Sequence, residues 1–274
     1  MTRRRARLLF AIVLGLFAIH AMCDAPPPPR VASLHIEGYP RSRAQIAGVF
    51  QQIKASGAQI VALQGVRTPR KVATAAGWRL GDSWRYVYPR VRGAARSLGV
   101  LYNDGELALR ATRVHDSVAV TDGARPAFEA RFVPRRRGAA LRVLVVDLER
   151  DAGARTMQLR VLAELYSELA RSGERVLLVG NFHSDGSTDR GALEALARAS
   201  RARWLSREVS CTAYRRDDAG RCRGVALDHA FSVGAAKSVQ ALGPCAKVGC
   251  SPERCPRSVE RVSAHCPLVV ELLP

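Results

Sequence analysis

Four apolar residues, Val176 to Val179, run into Gly180 and are followed by Asn181, Phe182 and His183. A short apolar run closed by glycine is the pattern of a buried strand. Two polar side chains flanking an apolar one at its carboxyl end are placed where sheet proteins usually position chemistry. A chain carrying such a strand needs a sheet covered on both faces.

The flanking segments supply that cover. Val31 to Ile36 reads as a first strand, Ser42 with Gln45 three residues on forms a capping-box start, and Ile46, Val49, Phe50 and Ile53 follow at helical spacing before Gly57. Gln59 to Leu63 is a second buried strand, so the opening is a strand, helix, strand unit. Further strands are expected at Trp84 to Tyr88, Gly99 to Tyr102, Ser117 to Thr121, Ala127 to Val133, Leu141 to Leu148, Val225 to Val233 and Pro267 to Leu272. In the fourth of these Phe128, Ala130 and Phe132 alternate with Glu129 and Arg131, and Arg135 to Arg137 with Gly138 reads as a solvated hairpin tip. Helices are expected at Arg155 to Arg171, with Leu159, Leu162, Leu165 and Leu169 on one face, and at Asp189 to Ala199. Two sheets with helices on their outer faces make a two-sheet α/β sandwich, and 274 residues suffice for one such domain.

The amino terminus is set apart. Arg3, Arg4, Arg5 and Arg7 precede an apolar run from Leu8 to Ile19, and Pro26 to Pro29 follow. Residues 1–25 read as a secretory signal peptide, 26–30 as a stiff proline linker, and 31–274 as the folded domain. A signal anchor, or lipidation at Cys23, is the competing reading. Export to a periplasmic or extracellular space, with no membrane span after leader cleavage, suits the cysteines. Apart from Cys23, all six lie between Cys211 and Cys266: Cys211, Cys222, Cys245, Cys250, Cys255 and Cys266. Up to three disulfides are expected among them, with the pairing open; no pair has the two-residue spacing of a zinc ribbon.

The formal charge is +19, and of 43 basic residues only four are lysine. Such a field attracts polyanions such as nucleic acid or phosphate-bearing surfaces, though a compositional bias toward arginine would produce it too. Arginine-rich stretches at Arg67 to Lys71, Arg90 to Arg96 and Arg201 to Arg207 are the expected cleft loops.

Six segments, in order, resemble the endonuclease/exonuclease/phosphatase superfamily, the deoxyribonuclease I-like phosphodiesterases. Val31-Ala-Ser-Leu-His35-Ile36 is similar to its Val-Ala-Thr-Trp-Asn-Ile strand, with His35 for Asn. Ile60-Val-Ala-Leu-Gln64-Gly65-Val66-Arg67 is similar to Ile-Val-Ala-Leu-Gln-Glu-Val-Arg, with Gly65 for the metal-binding Glu. Val145-Val146-Asp147-Leu148 has Asp147 where a His-Leu pair has histidine. Gly180-Asn181-Phe182-His183 resembles Gly-Asp-Phe-Asn with both polar positions changed. Leu227-Asp228-His229 keeps the family's Asp, and Ser263-Ala264-His265-Cys266-Pro267 resembles Ser-Asp-His-x-Pro with the Asp lost.

The resemblance implies phosphodiester or phosphomonoester hydrolysis with magnesium held by carboxylates, and a carboxylate base. Gly65, Asn181 and Ala264 remove three anionic groups, so that activity is expected to be weakened or lost. The candidate catalytic set is His265, Asp228, Asn181, His183 and Asp147. Asp228 and His265 survive as a carboxylate–imidazole pair. Because histidines replace other residues at His35 and His183, these two with Asp228 form a candidate ligand set for zinc or manganese. Nothing marks His115 or His229 as functional. Three readings follow: a weakened hydrolase, a monomeric non-catalytic binder of nucleic acid or another polyanion, and a hydrolase rebuilt around a transition metal.

Overall fold

The computed structural model describes residues 29–89, 97–136, 138–184, 189–234, 236–252 and 255–273. The expected leader, Cys23, the first part of the proline linker, Arg90 to Arg96 and Arg137 lie outside the described residues.

The chain opens with β1 (Arg30–Tyr39), α1 (Arg43–Ser56), β2 (Ile60–Val66), α2 (Pro69–Leu80), β3 (Trp84–Val87) and β4 (Ser97–Asn103). It continues through β5 (Leu107–His115), β6 (Ala127–Pro134), β7 (Leu141–Asp147), α3 (Ala152–Ala170), β8 (Arg175–Asn181), α4 (Arg190–Ala199) and β9 (Arg203–Trp204). The last quarter holds β10 (Ala213–Arg216), β11 (Cys222–Val225), β12 (Asp228–Val233), β13 (Ala236–Ala241), α5 (Pro244–Val248), α6 (Arg257–Arg261) and β14 (Leu268–Leu272).

One six-stranded sheet runs β13, β14, β1, β2, β4, β3, and a second runs β5, β6, β7, β8, β12, β9. Their inner faces meet in an apolar core that includes Val31, Ile60, Phe128, Phe132, Val145 and Val179. The outer face of the first sheet packs under α1 and α2 through Leu34, Val49, Phe50 and Val72, and that of the second under α3 and α4 through Leu144, Leu162, Leu178 and Leu193. This is the two-sheet α/β sandwich expected from the strand and helix pattern, with the central strands of each sheet covered on both sides.

Local chemistry sets the opening unit. Ser42 caps α1 by accepting the Gln45 N–H at 3.0 Å, Gln45 Oε1 accepts the Arg41 N–H, and Gly57 ends the helix in the left-handed conformation. Several sequence expectations need correction. Ser117 to Thr121 is not a strand: Asp116–Val118 is a single 3-10 turn, because Val118 is buried against α3 and its carbonyl accepts from Gln158 Nε2. The strand lies earlier, at β5, where a run of exposed side chains from Arg110 to Arg113 hides the alternation. Arg67 to Lys71 leads straight into α2, with Pro69 at its first position. Val225 to Val233 is two strands, broken where Thr212 Oγ1 accepts the N–H groups of both Leu227 and Asp228.

The topology brings one end of each central strand together. β1 and β2 are parallel, with His35 opposite Gln64, and β7 and β8 are parallel, with Asp147 opposite Asn181. β12 runs antiparallel to β8, so its first residue, Asp228, also faces Asn181.

Candidate functional site

At that end the two sheets form a cleft of about 540 Å³ lined by Glu37, Arg150, Arg155, His183, Tyr214, Arg215, Leu227, Ala264 and His265. A cleft of this size accommodates a nucleotide- or sugar-phosphate-sized group.

Each sequence-derived residue has a defined place. Asp147 ends β7 and is buried; its Oδ1 accepts from Asn181 Nδ2 at 3.0 Å, and its Oδ2 lies 2.9 Å from Arg125 Nε. Burial pushes its carboxyl up to about 6 against the opposing pull of Arg125. Asn181 is fully buried and its orientation is fixed: the amide nitrogen donates to Asp147 and to His183 Nε2 at 2.9 Å, while its oxygen accepts the His183 N–H. The His183 ring therefore carries its proton on Nδ1. Burial, reinforced by the positive charge of Arg150, pushes this imidazole down to about 2, so it is neutral. Gly180 allows the approach, since a Cβ there would collide with the Val146 carbonyl and its φ is +154°.

Across the cleft, His265 Nδ1 sits 2.7 Å from Asp228 Oδ2. Burial disfavours charge on this ring, but Asp228 outweighs burial through its charge and hydrogen bond, and the imidazole's pKa is raised. Thr212 orients Asp228 through its backbone, and Ser263 Oγ accepts the His265 N–H while donating to the His35 carbonyl at 2.6 Å.

His35 and Gly65 are read together. A Cβ on Gly65 would stand 2.9 Å from His35 Nε2 and 3.0 Å from the Glu37 nitrogen, and Gly65 has φ +72°. The imidazole occupies the space into which a side chain at 65 would project. His35 Nε2 is also 3.7 Å from Asp147 Oδ2, and its ring centroid is 4.6 Å from that of His265. Among the described residues, the buried atoms His183 Nδ1 and Asp228 Oδ1 have no hydrogen-bond partner within the protein.

Glu37 was not singled out in the sequence. It lies two residues beyond His35 with φ +41°, and its Oε2 accepts the Ala264 N–H at 3.0 Å. Arg125, Arg150 and Arg215 were also missed. Of the three arginine-rich stretches, Arg67 to Lys71 and Arg201 to Arg207 do not line the cleft, and Arg90 to Arg96 lies outside the described residues. Arg155 lines it but is spent on structure, donating to Asp189 Oδ2 at 2.7 Å and to the carbonyls of Glu149 and Arg150.

The cysteines brace the far wall. Three disulfides join Cys211 to Cys250, Cys222 to Cys255 and Cys245 to Cys266. Cys211 precedes Thr212 and Cys266 follows His265, and the Cys266 N–H bonds the Thr212 carbonyl.

Neither a scan of family models nor a search of curated proteins found a match to the chain. Solved structures do match its fold, which is that of endonuclease/exonuclease/phosphatase proteins. The endonuclease/exonuclease/phosphatase from Bacteroides vulgatus aligns with TM-score 0.66 at 16% identity, over 90% of this chain and 100% of its own. A mannosyl-6-phosphatase from Bacteroides thetaiotaomicron aligns with TM-score 0.66 at 15% identity, over 90% and 100%. D. rerio TDP2, complexed with single-strand DNA product, aligns with TM-score 0.65 at 12% identity, over 88% and 97%. At these identities the likeness is one of fold.

Proposed function

We propose that this chain is an exported phosphoester-binding protein built on a phosphoesterase fold, in which the magnesium-dependent cleavage belonging to the fold is lost. The observation that carries this reading is the cleft itself. Arg150 and Arg215 stand exposed on its walls beside the Asp228-supported His265, a set of donors suited to a phosphate group.

Magnesium does not fit the residues present. It needs several charged oxygens in near-octahedral array, and of the site's carboxylates Asp147 and Asp228 are already engaged, which leaves Glu37, one of whose oxygens accepts the Ala264 N–H. Asp147 is held by Arg125 and Asn181, and Asp228 by His265. Asn181 is neutral and turns its nitrogen to Asp147, Ala264 offers no donor, and His35 fills the space beside Gly65. His183 is a poor base as well, because its Nε2 lone pair already accepts from Asn181.

Export, with residues 1–25 removed as a leader, is supported by the three disulfides, which persist in oxidising compartments. Among the described residues no helix is long and apolar enough to cross a membrane. A polyanionic partner is supported by the charge of +19, and the similar TDP2 structure holds single-strand DNA product.

The test is binding of a labelled single-stranded oligonucleotide, with inorganic phosphate as competitor, to the oxidised chain in EDTA. Binding should weaken steeply with salt, and replacing Arg150 and Arg215 together by Ala should weaken it at least about tenfold and flatten the salt slope by about 1.4. Cleavage of the oligonucleotide on adding magnesium would overturn the reading.

A further inference from the structure

We propose that His35, Glu37 and His265 form a binding site for a divalent transition metal, of the zinc class, at the floor of the cleft. This goes beyond the phosphate reading, in which His265 acts as a donor in the metal-free protein, and does not depend on it. One donor atom from each of the three residues lies within 4.8 Å of the others. Two imidazoles and one carboxylate, with a fourth position left open, are a donor set that suits zinc and its neighbours in the first row and does not suit magnesium.

The surroundings are those of a ligand set already oriented. Asp228 holds Nδ1 of His265 at 2.7 Å, which leaves Nε2 as the nitrogen for a metal, and a carboxylate behind a histidine is the usual support of such a ligand. The Ala264 N–H holds Oε2 of Glu37 at 3.0 Å, which leaves Oε1. Ser263 ties the two sides together, bonding the His35 carbonyl and the His265 N–H with one hydroxyl. Donors around a zinc ion stand roughly 3.4 Å apart, given zinc–nitrogen distances of about 2.0–2.1 Å, so donors that lie within 4.8 Å of one another need to close by no more than about 1.4 Å. Glu37, with 28% of its side chain exposed, has the room to do so.

The positions explain one another. Gly65 has no side chain, and a Cβ placed there would meet His35 Nε2 at 2.9 Å and the Glu37 nitrogen at 3.0 Å. Ala264 has no donor side chain, and its backbone N–H instead orients Glu37. Donors that β2 and the segment before β14 no longer offer are supplied by the end of β1. His183 and Asp228 are not in this set: the first has its Nε2 on Asn181, and the second supports His265.

The experiment is calorimetric titration of zinc into the full oxidised chain without phosphate, with cobalt absorption spectra as a second readout. One equivalent should bind, magnesium should not compete, and cobalt should show the intense visible bands of a low-coordinate site. Glu37→Gln and His35→Asn should each weaken zinc at least about tenfold, a usual cost of losing a ligand or its support. His183→Asn should leave affinity within about threefold, and thermal melts should show all three variants folded. Stoichiometric zinc binding unchanged by Glu37→Gln, or no zinc binding by folded wild-type protein, would overturn the proposal. Because the phosphate test is run in EDTA and this one without phosphate, failure of either reading is separately visible.

Discussion

Gly65 cannot carry a side chain without displacing His35. Its positive φ disfavours any L-residue by about 1–2 kcal/mol, and a Cβ would stand 2.9 Å from the imidazole. Gly65→Glu should therefore cost more than about 2 kcal/mol in urea denaturation and gain no magnesium binding by calorimetry. Asn181 is constrained in the same way. Its amide donates to Asp147, whose carboxyl burial already pushes up to about 6. Asn181→Asp would set two buried carboxyls about 3 Å apart, able to share one proton but not to ionise together. The variant should lose more stability at pH 8 than at pH 5, by about 1–3 kcal/mol, and equal losses at both would count against this account. A single substitution at either position does not build a magnesium site, because the neighbours of Gly65 and Asn181 are fitted to the residues present.

At the scale of elements, β6 shows how a sheet face lacking a helix is finished. Phe128, Ala130 and Phe132 enter the core, while Glu129 and Arg131 point the other way into a charge network. Glu129 takes bonds from His115 at 2.8 Å and from Arg142 at 2.6 Å, and Glu174, just before β8, is held by Arg131 and Arg142. These hydrogen bonds, Arg131 foremost, hold the Glu174 carboxyl down at about 2. A carboxyl whose pKa is lower folded than unfolded adds stability above the ordinary glutamate range and loses it as pH falls through the folded value. Thermal stability should accordingly drop between pH 5 and pH 2.5, and Glu174→Gln should melt lower at pH 7 yet show a smaller acid-induced fall. A variant with the parent's full acid sensitivity would place that sensitivity elsewhere.

Over the whole molecule, the disulfides staple the last quarter of the chain to the site. They close segments of 39, 33 and 21 residues, each contributing about 3–4 kcal/mol by restricting the unfolded chain. Interleaved loops are not additive, but complete reduction should lower the melting temperature by more than about 10 °C. The Cys245–Cys266 bridge has a local effect as well, since Cys266 follows His265 and bonds the Thr212 carbonyl. Replacing both its cysteines by serine should weaken oligonucleotide binding several-fold while far-ultraviolet circular dichroism keeps the sandwich signature. Unchanged affinity would show that the cleft wall stands without it.

The amino-acid sequence determined the burial pattern of the strands, the capped helix after Ser42, the inward face of β6, the sandwich, and the even set of six cysteines. These are local: an apolar run, a period of two or 3.6, a capping residue and a count are legible within a few positions. It missed β5, whose exposed arginines mask its alternation, and the short strands and helices of the cysteine-rich quarter, which are held by cross-links more than by periodicity. The tertiary structure alone decided the cysteine pairing and the set of cleft arginines, and it alone brought Glu37 to His265. Glu37 looks like any solvent-facing residue near a strand end. Only a backbone turned to φ +41° and the Ala264 N–H, 227 residues away in the chain, aim its carboxylate into the cleft. Register between distant strands is a property of the assembled sheets, and no local pattern encodes it.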